Sequence, residues 1–152
     1  MSGEAKMESL PFVVQRIDHI VLRVRDLARS EKFYMSVLGC AVVKKREDLG
    51  LTHLKAGASM VDLISVEGKL GSRGGAAAGA SGRNVDHFCL RVELFDEKML
   101  IQHLSRFNLN PLGPASQNFG AEGDGPSLYF EDPDANIIEL KGPSTYRVKS
   151  GT

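Results

Sequence analysis

The heptapeptide DHIVLRV at residues 18–24 returns as DHFCLRV at residues 86–92, with five of the seven letters identical. A chain that spells one strand twice, 68 positions apart, is constrained to repeat a supersecondary unit and not merely a peptide. Both copies alternate in the manner of a half-buried strand. In the first, Ile20, Leu22 and Val24 share one face, and His19, Val21 and Arg23 the other. In the second, Phe88, Leu90 and Val92 oppose His87, Cys89 and Arg91.

The segments after each copy also match. After the first, Asp26 offers an N-cap, and Leu27, Tyr34, Val37 and Leu38 recur at helical spacing. Gly39 is placed to end that helix in a left-handed conformation. CAVVKKRE, GLTHLKA and SMVDLISV then read as three short strands. After the second copy, Asp96 caps a helix within 94–107 that carries Leu100, Ile101, Leu104 and Phe107. Beyond the break at NPLGPA, strands recur around SLYFED and NIIELK. The fold class is α+β. One domain is expected, built of a first module at 16–67, a Gly/Ala-rich linker at 68–84 and a second module at 85–145, with flexible tails at 1–15 and 146–152. The Gly-rich stretch 118–127 lacks the lysine of a phosphate-binding loop and reads as a surface loop or a flap beside a pocket.

Nineteen basic residues balance nineteen acidic ones, which gives no footing to nucleic acid or to an anionic membrane surface. No apolar run reaches membrane-spanning length, and the first residues lack the basic-then-apolar order of a secretory signal. Cys40 and Cys89 sit in strand-like surroundings and read as reduced thiols. A cytoplasmic protein is the expectation.

The chemistry lies in the residues that break the apolar pattern. Each first strand carries a histidine, His19 or His87; each last strand carries a carboxylate, Asp62 in MVDLIS or Glu139 in IIELK. A charge among Val, Ile and Leu is costly unless it is paired or bound to metal. If the modules pair about a pseudo-two-fold axis, the four converge in one cavity, a donor set suited to divalent Zn, Ni, Co, Mn or Fe. His53 is expected to line that cavity and His103 to lie on a helix surface.

The segments DHIVLRVRDLARSEKFYMSVLG, DHFCLRV and YFEDPDANIIEL together resemble the vicinal oxygen chelate superfamily of glyoxalases, bleomycin resistance proteins and dioxygenases, over residues 16–143. Within it the chain is most similar to glyoxalase I and glyoxalase domain-containing proteins. The resemblance implies two βαβββ modules that pair into a curved mixed sheet with a central cavity. It also implies metal ligands at His19, Asp62, His87 and Glu139, although Asp62 stands where that enzyme has Glu or Gln. Glu139 would be the proton-shuttling base, and Asp62 the second catalytic carboxylate. Arg23, Arg91, His53 and Tyr129 would contact a small-molecule substrate, with Arg23 at a position similar to a glutathione-carboxylate contact. A further glutathione contact, an Asn in the relatives, is Val66 here. The implied reaction is isomerisation of an α-ketoaldehyde–thiol adduct by a homodimer. A three-ligand iron dioxygenase, an acyl-thioester epimerase and a non-enzymatic drug-binding module are the alternatives.

Overall fold

Asp26 and Gly39 bound the first helix as their chemistry dictates. In the computed structural model, which describes residues 10–145, the Asp26 side chain accepts from the Arg29 amide. Gly39 closes the helix at φ 68°, a conformation that is cheap only without a Cβ. The first module comprises β1 (His19–Val24), α1 (Leu27–Leu38), β2 (Ala41–Arg46), β3 (Leu51–Ala56) and β4 (Ser59–Ser65). The second comprises β5 (His87–Arg91), α2 (Glu97–Ser105), β6 (Ser116–Asn118), β7 (Gly125–Glu131) and β8 (Ile137–Lys141). Asp96 caps α2 by accepting from the Met99 amide.

The two halves have the same topology. Their sheets run β1-β4-β3-β2 and β5-β8-β7-β6, with the first two strands of each parallel and the rest antiparallel. The strands that carry the repeated peptide, β1 and β5, are therefore edge strands. The expected tail at 1–15 falls outside the described residues as far as residue 9, and the tail at 146–152 does so entirely. β6 goes beyond the sequence reading. Its residues, SQN, are polar and too few to show a period, and its pairing to β7 comes from the hairpin around 119–124.

The apolar faces of both sheets and both helices merge into one core. It joins Val24, Tyr34, Leu54, Val61 and Leu63 of the first half to Leu104, Leu128, Phe130 and Ile138 of the second. Each large side chain buried this way contributes roughly 1.5–3 kcal/mol. Phe33 and Phe130 bridge the halves with ring centroids 6.3 Å apart. His103 does not lie free on the α2 surface: it is half-buried, and its Nε2 sits 2.7 Å from the Val37 carbonyl at the end of α1. The two helices pack there, so a polar ring takes up a carbonyl that the helix leaves unpaired.

A polar clasp adds to the apolar seam. Asp132, in the turn between β7 and β8, is buried and accepts the Tyr34 hydroxyl at 2.8 Å, the Asn136 side chain, and the amides of Asp134 and Asn136. Its neighbour Asp134 accepts the Arg25 amide and guanidinium and the Ser30 hydroxyl. Both carboxylates thus face α1 or the residues just before it.

The linker begins with a 3₁₀ turn at Gly71–Gly74, at a point of close backbone approach. A Cβ on Gly71 would lie 1.9 Å from the Ser65 carbonyl oxygen, and backbone cannot give way like a side-chain tip. Gly71→Ala is expected to lower stability by about 1–3 kcal/mol in urea unfolding. An unchanged midpoint would mean that this turn does not pack on the end of β4.

Candidate functional site

The faces of the sheets turned away from the core carry the candidate site residues, and pairing across the strands fixes which of them share a row. In the second half, Cys89, Glu139 and Tyr129 stand in one row across β5, β8 and β7; Arg91, Lys141 and Ser127 stand in the next. In the first half, Val21, Asp62 and His53 form the row that corresponds to Cys89, Glu139 and Tyr129. Asp62 and Glu139 are both buried, each 5% exposed, on faces that are otherwise partly open.

Each histidine is held by the aspartate before it. His19 Nδ1 lies 2.8 Å from Asp18 Oδ2, and His87 Nδ1 lies 2.7 Å from Asp86 Oδ2. These carboxylates raise the pKa of both imidazoles, chiefly through the hydrogen bond and against the effect of desolvation. A carboxylate on Nδ1 fixes the tautomer and leaves Nε2 as the free coordinating atom, the arrangement that orients a histidine towards a metal. His87 Nε2 indeed faces Glu139 Oε2 at 3.1 Å. The other Glu139 oxygen accepts the fully buried Ser127 hydroxyl at 2.5 Å.

The surroundings of Glu139 are those of a shielded carboxylate. Burial pushes the Cys89 thiol up to about 11 and the Tyr129 phenol up to about 12, with the adjacent Glu139 contributing to both. Both groups therefore stay protonated at neutral pH. The Tyr129 ring meets the His87 ring edge-on at 5.5 Å. An open groove of about 370 Å³ runs alongside, lined by Asp86, His87, Leu112, Tyr129 and Ile137 among others.

In the first half, Asp62 Oδ2 lies 2.9 Å from His53 Nδ1. Its other oxygen, Oδ1, is the one buried side-chain polar atom among the described residues without a hydrogen-bond partner. An orphaned carboxylate oxygen costs free energy, and a cation is the partner that best relieves it. The donor set thus fits a divalent metal: two imidazole Nε2 atoms, the free Asp62 Oδ1, and Glu139 Oε2.

The structure brings His87 to Glu139 and His53 to Asp62, and it puts His19 on the same sheet face as Asp62. It does not unite the two halves of the set: among the described residues of one chain, no three such side chains gather as a metal cluster. Arg23 and Arg91 are engaged elsewhere. The Arg23 guanidinium donates to the carbonyls of Gly71, Gly75 and Ala76 in the linker. That of Arg91 is paired with Glu93 and Glu122. Sequence reasoning misses Asp18, Asp86, Ser127 and Lys141. The two aspartates are signalled by the repeat itself, which begins with DH and not with H.

Three comparisons bear on this geometry. The family model described as the glyoxalase/bleomycin resistance protein/dioxygenase superfamily matches residues 16–140. A virulence protein, STM3117, of Salmonella typhimurium is 27% identical over 133 residues, 88% of each chain. Its crystal structure superposes with a TM-score of 0.67, covering 87% of this chain and 99% of that one at 25% identity. Two more distant structures share the fold. A lactoylglutathione lyase from Agrobacterium tumefaciens has a TM-score of 0.60 at 20% identity, covering 85% of this chain and 94% of its own. A fosfomycin resistance protein, FosX, from Listeria monocytogenes, complexed with Mn(II) and 1S,2S-dihydroxypropylphosphonic acid, has a TM-score of 0.63 at 14% identity, covering 88% and 94%.

Proposed function

Since this chain belongs to the glyoxalase/bleomycin resistance protein/dioxygenase superfamily, we propose that it is a metal-dependent lyase or isomerase of the glyoxalase I type. Its substrate would be a small compound with adjacent oxygens, such as an α-ketoaldehyde–thiol adduct. The observation that carries this reading is the pair of matching half-sites. Each offers a histidine held by aspartate on Nδ1 and a buried carboxylate, and the two occupy corresponding strands. A lyase and a manganese-bound resistance protein of the same fold lend it support.

His19, Asp62, His87 and Glu139 would hold the ion. When bound, it supplies a Lewis acid that stabilises negative charge developing on adjacent substrate oxygens. The chain's own groups do the rest. Glu139 moves the proton, taking it from one substrate carbon and returning it to the neighbour. Ser127 keeps the carboxylate in one orientation by donating to Oε1. Tyr129, protonated at neutral pH, meets His87 edge-on and offers a neutral donor beside Glu139.

The reading includes a homodimer that completes the site. β1 and β5 are edge strands, and an open edge is a template for pairing with another chain. Leu10, Phe12, Val13, Val14 and Ile17 lead into β1 as an exposed apolar stretch. If β1 of one copy meets β5 of another, His19 and Asp62 come to face His87 and Glu139.

Metal content by mass spectrometry tests the proposal on untagged wild-type, His87→Ala and Asp62→Ala protein. Near-stoichiometric metal in the wild type, lost from both variants, is the expected result. Metal kept in Asp62→Ala would favour a three-ligand iron site and an oxygenase, with Asp62 serving only His53. A wild type that takes up no metal after reconstitution would sink the enzyme reading and leave a drug-binding module.

A further inference from the structure

Lys141 is buried, 7% exposed, at the end of β8 and on the same face as Glu139. The repeat makes this position informative. Ile64 is its counterpart in the first half, since Ile64 pairs with Leu51 as Lys141 pairs with Ser127. Where one copy places an apolar side chain, the other buries a cation.

The surroundings of this cation do not neutralise it. Its ammonium donates to the Asn118 carbonyl at 2.6 Å, a neutral acceptor that takes one of three donors. Arg91, directly opposite on β5, is balanced by Glu93 and Glu122, and no such ion pair forms at Lys141 among the described residues. The chain nevertheless makes room for it. A Cβ on Gly120 would lie 2.6 Å from Lys141 Cε, a contact the lysine tip can move to relieve, whereas one on Gly125 would lie 2.8 Å from the Pro143 carbonyl oxygen and 2.9 Å from Nζ, so Gly125 needs glycine. Burying an unpaired ammonium is costly, and the cost is recovered if an anion arrives.

We propose that Lys141 is the anion-recognising end of the sheet face that carries Glu139, taking a compact oxyanion, either a carboxylate or a phosphate or phosphonate group. The proposal rests on the reading of the Glu139 face as the substrate site and adds the class of substrate. Lys141 stands two positions beyond Glu139, about 6.6 Å along β8. A substrate that reacts at Glu139 and is gripped at Lys141 is therefore small, with its charged group a few bonds from the adjacent oxygens. Asp62 and Glu139 would together balance a divalent ion, which leaves the Lys141 charge as the excess that draws an anion in.

The test is binding of inorganic phosphate and of acetate to metal-free, full-length protein, measured by calorimetry and thermal shift. Wild type is compared with Lys141→Met, Lys141→Arg and, should Met fail to fold, Lys141→Gln. The expected result is saturable binding of one anion or both in the wild type. Binding should weaken at least tenfold in Lys141→Met or Lys141→Gln and largely survive in Lys141→Arg. Preference for phosphate or for acetate then identifies which oxyanion the site takes. Equal binding by wild type and the charge-free variant, or no anion binding by the wild type, would overturn the proposal and leave Lys141 as an anchor for the hairpin. Metal content measured on the same proteins separates the two readings. Anion binding through Lys141 in a protein that takes up no metal would defeat the lyase but not the anion site, and the reverse pattern would defeat only the anion site.

Discussion

His19→Ala and His87→Ala proteins, each without bound metal or activity alone, are expected to regain about a quarter of the wild-type sites when unfolded and refolded together. The fraction follows from the symmetry of a dimer whose two sites each draw one histidine from each chain. Random pairing makes half of the dimers mixed. Every mixed dimer has one site with both histidines and one with neither. Metal per chain and turnover should rise together to that level, with native mass spectrometry confirming that mixed dimers form. Mixed dimers that stay as inactive as their parents would show that the site does not draw on two chains. The reason to expect exchange is geometric: His87 and Glu139 stand together on one sheet, while His19 and Asp62 stand on the other.

The second large effect is on stability. Asp132→Ala removes the acceptor for the Tyr34 hydroxyl, the Asn136 side chain and two backbone amides, all around a carboxylate that is 5% exposed. Donors stranded in a buried network cost more than the bonds they lose. A loss of about 3–5 kcal/mol in urea unfolding is expected. A loss under about 1 kcal/mol would mean that water replaces the carboxylate freely and that the apolar seam and the Asp134 contacts suffice to hold α1 to the second half.

Much of this fold is legible in the sequence because it is local. A strand alternates within six residues, and Asp26, Gly39 and Asp96 act on amides and carbonyls within one turn. The four metal-type residues are legible for a related reason, as breaks in a pattern that occurs twice. The rest is long-range. Nothing near His103 in the chain announces the Val37 carbonyl, 66 positions away. Nothing in Arg23 announces linker carbonyls 48 to 53 residues ahead. Asp18 and Asp86 are hidden differently: they belong to the repeat but look like ordinary strand-opening residues. Lys141 is hidden because a lysine at a strand end ordinarily points to solvent, and only the hairpin over it shows otherwise.

The shared core has a consequence for how such a chain can change. Phe33 rests near Phe130, and Leu104 and Ile138 belong to the same apolar interior as Val24 and Leu63. Neither copy of the repeat owns a complete interior, so a substitution in one is felt by the other. The polar faces carry no such debt, and there the two copies have been free to diverge, Val21 against Cys89, His53 against Tyr129, Ile64 against Lys141. The doubled unit is thus bound together on its inside and differs between its copies on its outside, where only the second copy sets a lysine two positions beyond its buried carboxylate.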